Sequence, residues 1–96
     1  MFIILLRLSE NRANAAQHMD AHRAWLQRGF DEGAFLVAGT LQPSAGGAII
    51  ANGGAQEEIE RRINEDPFVI EDVARAEILE VSPAKADQRL SFLLPD

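Results

Sequence analysis

The chain predicts an α+β domain with element order β-α-β-β-α-β, and three observations carry that reading. The N-terminal run Phe2–Leu8 (FIILLRL) is short and apolar on both faces, as a strand with both faces covered is. An alanine-rich stretch follows in which apolar residues recur on a helical period. Two short apolar runs, Ala34–Leu41 and Gly47–Ala51, then flank a turn containing Pro43 and read as a hairpin.

In strand one, Phe2, Ile4, Leu6 and Leu8 point one way, and Ile3, Leu5 and Arg7 point the other. Ser9–Asn11 supplies polar capping residues, and a helix runs to about Arg28. Gly29 and Gly33 are expected to end it, with Phe30 folding back as an apolar plug. Asn52-Gly53-Gly54 marks a turn before a second helix, about Ala55–Asn64. Ile59 and Ile63 are its i, i+4 core contacts, while Glu57, Glu58, Arg61 and Arg62 form its solvated side. Asp66-Pro67 opens a helical turn, because Asp is a good N-cap and Pro a good first helical residue. Ala74–Val81 is the fourth strand, ended by Ser82-Pro83, and Ala84–Asp96 is a tail bearing Leu90, Phe92, Leu93 and Leu94. The whole of 1–96 reads as one domain with residues 84–96 as its tail.

This order is the split βαβ of the ferredoxin-like fold: a four-stranded antiparallel sheet with two helices on one face. The other face would be bare in a monomer, yet Ile3 and Leu5 make it apolar. A second copy of the chain is the simplest cover, which predicts a homodimer with sheets face to face; the tail is the alternative cover for part of that face.

Composition narrows the function. Of the 96 residues, 47% are hydrophobic and 25% charged, which is ordinary for a globular domain. The net charge of −6 repels phosphate backbones, so nucleic acid is not an expected partner. With no cysteine there is no disulfide, thiolate metal site or thiol nucleophile. The run Phe2–Leu6 is too short for a membrane span or a secretory h-region, and no basic segment precedes it, which favours the cytoplasm.

His22 is the residue that asks for a chemical explanation. At about 100° per residue, Ala15, His18, Met19, Trp25, Leu26 and Gly29 all fall within roughly 60° of it, so an imidazole sits at the centre of the core-facing stripe. It is either a general acid–base or a buried histidine satisfied by a backbone carbonyl. His18 precedes it at a metal-ligand spacing, but no third ligand accompanies the pair, so no metal is expected. Asp66 is either a helix cap alone or also a carboxylate that orients an imidazole. Gly39, inside an apolar strand, suggests a bulge or a close backbone approach by a ligand. Trp25 belongs to the core or floors an apolar pocket, and Arg7 holds an anionic ligand or a salt bridge at an edge or interface. Ser44 lacks the context of a nucleophile elbow.

Together these residues resemble a known family. A short apolar first strand, then His22, Gly33 and Gly39 in the spacing H-x10-G-x5-G, a glycine-rich hairpin, and Asp66-Pro67 after the second helix are similar to the YciI-like (YCII-related) family, from Phe2 to about Val81. The resemblance implies a dimeric ferredoxin-like α+β barrel with an active-site His–Asp pair, carried here by His22 and Asp66. Many members have Pro after the second glycine, where this chain has Thr40, so the pocket rim differs. Related barrels include isomerases, monooxygenases and dehydrohalogenases of small substrates. The expectation is a cofactor-independent lyase or isomerase acting on a small molecule. His22 would move the proton, Asp66 would fix its tautomer, and Gly39, Thr40, Trp25 and Arg7 would contact substrate. The alternatives are a non-catalytic small-ligand-binding or regulatory dimer, and a structural dimer whose His22 is a satisfied core residue.

Overall fold

The computed structural model describes residues 1–95. Its strands are β1 (Phe2–Leu8), β2 (Phe35–Leu41), β3 (Gly46–Ala51) and β4 (Ala74–Glu80), and its helices α1 (Ala15–Asp31), α2 (Gln56–Ile63) and α3 (Pro67–Ile70). Single 3-10 segments, Arg12–Asn14 and Gln88–Leu93, precede α1 and end the tail. The sheet order is β2-β3-β1-β4 with every neighbouring pair antiparallel, and the helices pack on one face. This is the α+β split βαβ arrangement that the sequence predicts.

The strand that is apolar on both faces lies between two others, where both its edges are hydrogen-bonded. Ile4 pairs with Ile49 on one side and Ile78 on the other. On the inner face Phe2, Ile4 and Leu6 are buried against Trp25 of α1, Phe35 and Ile49 of the hairpin, and Ile59 and Ile63 of α2. Phe2, Ile4 and Ile63 are fully buried, and burying each such side chain contributes roughly 1.5–3 kcal/mol. The outer face carries Val37, Ile50, Ile3 and Leu79 in one cross-strand row. Val37 and Leu79 there remain 57% and 41% exposed.

Helix α1 departs from expectation at its end. It runs through Gly29 to Asp31, and Gly33 (φ 76°) makes the stop instead. Gly29 is small for a packing reason: a Cβ there would lie 2.2 Å from the Phe35 ring. The backbone of α1 thus rests on the first residue of β2, and Phe30 stays helical, edge-on to Phe35 at 6.0 Å. The sheet irregularity falls between Phe35 and Val37, not at Gly39. α1 is joined to α2 by the Trp25 indole N–H, which donates to the Arg62 carbonyl (2.9 Å), and by the Arg62–Glu32 ion pair (2.6 Å).

The segment from α2 to β4 places Asp66. It is the N-cap of α3, with extended backbone (φ −63°, ψ 123°), and its carboxylate accepts the Phe68 N–H. Pro67 follows in the first helical position, where its missing N–H costs nothing. The cap residue is itself fully buried, because α3 lies against α1.

Candidate active site

His22 and Asp66 stand 44 positions apart in the chain and meet in the fold. His22 Nδ1 lies 2.7 Å from Asp66 Oδ1, with the histidine side chain 14% exposed and the aspartate sealed. Asp66 Oδ1 therefore takes two hydrogen bonds, from the Phe68 N–H (3.0 Å) and from the imidazole. Its Oδ2 is buried with no partner among the described residues. The carboxylate's charge is thus balanced through one oxygen, and the imidazole is its only side-chain donor. Such concentration makes each partner depend on the other, since an unpaired buried polar group costs about 1–3 kcal/mol.

The imidazole is also held by its faces. The Phe68 ring stacks on it at 4.1 Å between centroids and 5° between planes, and Trp25 lies behind it at 5.7 Å. Hydrogen bond and stack together leave the ring one orientation. With Nδ1 spent on a carboxylate, that nitrogen carries the proton, an assignment made from the hydrogen-bond network. Nε2 makes no hydrogen bond within the described residues, and His22 lines a cavity of about 490 Å³ between α1 and the β1–β3–β2 side of the sheet. That volume is in the range of small-molecule pockets. Its walls are chiefly apolar: Leu6 and Leu8 of β1, Met19 and Leu26 of α1, and Phe68.

Of the residues expected to contact a ligand, Gly39 and Thr40 line this cavity; Trp25 and Arg7 do not. Trp25 is 2% exposed and turned toward α2, where its N–H is used, so it backs the imidazole without flooring the pocket. Arg7 projects from the outer face of the sheet, beside Glu77 at 3.5 Å. Strand alternation already puts it there, with Ile3 and Leu5 and away from Leu6 and Leu8. Beyond its two chain neighbours, no heavy atom of the described residues lies within 4 Å of a Cβ built on Gly39, so packing within the chain does not demand glycine there.

Sequence reasoning missed Phe68, and capping geometry held the signal. An N-cap side chain accepts from the backbone N–H of the second or third helical residue, which puts Asp66 beside Phe68, the second residue of α3. It also missed Met19 and Leu26 as cavity walls, although both lie on the His22 stripe. Among the described residues no group of three or more His, Asp or Glu side chains is arranged to hold a metal ion, and no helix is long and apolar enough to cross a membrane.

Fold and site define a small ferredoxin-like α+β domain that presents a histidine–carboxylate pair to an apolar cleft. Residues 1–82 match the YCII-related domain, and the chain belongs to that family. Among solved structures it is similar to 5-chloro-2-hydroxyhydroquinone dehydrochlorinase from Burkholderia phenoliruptrix, determined in complex with 2,5-dihydroxybenzoquinone. The match has a TM-score of 0.68 at 15% identity and covers 84% of this chain and 93% of that one. At this identity the likeness is one of fold. No curated protein matches the sequence.

Proposed function

We propose that the protein is a small-molecule enzyme of the lyase or isomerase type, working by acid–base chemistry at His22 and Asp66. One observation carries this reading: the imidazole is tied to a sealed carboxylate through Nδ1, 2.7 Å away, while its other nitrogen is unbonded beside a cavity of about 490 Å³. Family membership and the fold likeness to a dehydrochlorinase support an enzymatic role.

In the proposed chemistry Nε2 is the base. Its lone pair takes a proton from a carbon or oxygen acid in the cleft, and the electron pair of the broken bond stays with the substrate. The imidazolium so formed is stabilised by Asp66, which lies on the far side of the ring and touches no substrate. In an isomerisation Nε2 returns the proton to a second atom of the same molecule. In an elimination the electron pair expels a leaving group, and the proton is released afterwards. No step requires a nucleophile or any group beyond these side chains.

The working unit in this proposal is a homodimer closed over the outer sheet face. The Val37–Ile50–Ile3–Leu79 row supports it, since a contiguous apolar row on a sheet face is costly to leave in water. A structural reading of the pair also has one observation in its favour, because Asp66 Oδ1 caps α3 as well. The experiment that separates the readings follows exchange of carbon-bound hydrogen in heavy water, by NMR, over a panel of small enolisable acids and hydroxylated ring compounds. The enzyme reading expects exchange with wild type that His22→Phe abolishes while the fold is kept. Equal rates with and without the imidazole would remove it and leave a binding or structural dimer.

A further inference from the structure

We infer that the cleft takes a monoanion with an apolar body, and that Arg23 is the residue that selects its charge; this deepens the reading of the His22 cleft as a small-molecule site and rests on it. Arg23 follows His22 and stands four residues, about one helical turn, after Met19, so it borders the α1 stripe that lines the cavity. It is the only lysine, arginine, aspartate or glutamate among the cavity-lining residues. It is exposed, and it makes no ion pair or hydrogen bond among the described residues.

Arg28 and Arg61 are also unpaired among the described residues, but neither lines the cavity, so Arg23 is the uncommitted arginine that does. Arg7, Arg62, Arg75 and Arg89 each pair with a carboxylate, and Arg12 donates to the carbonyls of Leu8 and Ser9. The protein as a whole carries a net charge of −6, so its overall field opposes an approaching anion. An uncommitted guanidinium at the rim of an apolar cleft supplies local positive charge against that field. Its planar fork can hold a carboxylate by two parallel bonds and a single-oxygen anion, an enolate or a phenolate, by donating to that one oxygen.

The neighbours of Arg23 set the rest of the ligand. Leu6, Leu8, Met19, Leu26 and Phe68 offer apolar surface, while Thr40 and Ser44 offer hydroxyls on the hairpin side. An apolar body spans these walls with its charged group at the Arg23 edge, and Nε2 of His22 then lies beside the body. In the proton transfer proposed above, negative charge builds on the substrate as the proton leaves. Arg23 is placed to hold that charge at the rim, making it a specificity residue for an anionic substrate.

Benzoate and its neutral isostere benzamide are suitable probes, followed by NMR through the His22 ring and the Thr40 and Gly47 amides. Benzoate should bind more tightly than benzamide by about tenfold, the effect of one charge-assisted bond at a partly wet rim. Arg23→Gln should erase the preference, and Arg23→Lys should keep part of it. Arg28→Gln, on the same helix but away from the cavity, should leave it unchanged. Equal affinity for the two probes in wild type, or a preference that survives Arg23→Gln, would overturn the role of Arg23 while leaving the cleft a binding site. If neither probe shifts a cleft resonance at millimolar concentration, the small-molecule reading of the cleft falls with it.

Discussion

Replacing Asp66 by Ala removes the one atom that both caps α3 and holds the imidazole. Loss of the bond to the Phe68 N–H costs about 1 kcal/mol, the usual value for an N-cap. Leaving the largely buried His22 N–H unpaired costs about 1–3 kcal/mol more. The two terms share an acceptor, so they do not simply add, and a loss of about 3 kcal/mol in all is expected. At about 4–8 °C per kcal/mol for a domain of this size, that is a fall of roughly 12–24 °C in Tm. His22→Phe keeps a ring against Phe68 and leaves the carboxylate on a single backbone N–H, at a cost of about 3 kcal/mol. Urea unfolding followed by the fluorescence of Trp25, the only tryptophan and a buried one, measures each loss. The double variant should recover about 1.5–3 kcal/mol relative to the sum of the singles. A loss within about 0.5 kcal/mol for Asp66→Ala, as at an ordinary surface position, would show that the pair adds nothing to the fold. A coupling of zero would show that imidazole and carboxylate do not interact.

Three further outcomes follow from the same geometry. Gly29→Ala gains about 1 kcal/mol of helix propensity but drives a methyl to 2.2 Å from the Phe35 ring, and overpacking of this kind costs about 1–3 kcal/mol, so net destabilisation is expected in thermal unfolding. Deleting Leu90–Asp96 should weaken the proposed dimer, since Leu90 and Phe92 are 46% and 59% exposed on the single chain; an unchanged dissociation constant in equilibrium sedimentation would count against any role for the tail there. The Asp87 carboxyl is held below the usual carboxylate range by the Arg89 backbone N–H and then by the Arg89 guanidinium. A lowered folded-state pKa contributes stability that is present above the unfolded value and lost as pH falls through the folded one. The 3-10 turn Gln88–Leu93 should therefore loosen as pH falls through and below the ordinary carboxylate range, seen as a shift of the Arg89 amide resonance that Asp87→Asn abolishes.

What was legible in the chain was what simple periodicity controls. Strand β1 announces a central position because it has no polar face, and the hairpin and Asp66-Pro67 announce themselves through turn and capping chemistry. The end of α1 is not legible locally: Gly29 looks like a stop signal, whereas its smallness serves contact with Phe35, a residue in the next strand that no local rule consults. Trp25 lies within the helix stripe that contains His22, but a stripe is wide. Met19 and Leu26 look into the cavity, while Trp25 leans toward α2 and spends its N–H on Arg62. Periodicity places a residue on a face and does not say which neighbour that face meets.

The His22–Asp66 contact shows the same limit from the other side. Each residue has a sufficient local explanation, a stripe for the histidine and a cap for the aspartate, and neither implies the other; the resemblance to the family is what pairs them, and the structure brings them to 2.7 Å. Their meeting follows from topology: α1 and the α2–α3 segment lie on one side of the sheet, and α3 packs on α1. The capping role then assists the site. A carboxylate whose backbone is fixed by its own helix start cannot swing away from the imidazole, so the geometry that the proposed base needs is set by a folding motif. Stability and orientation are thereby coupled through one oxygen atom. A variant that keeps the cap but not the charge, Asp66→Asn, separates them: α3 retains its Phe68 bond, and what His22 loses is the anion that would stabilise its protonated form.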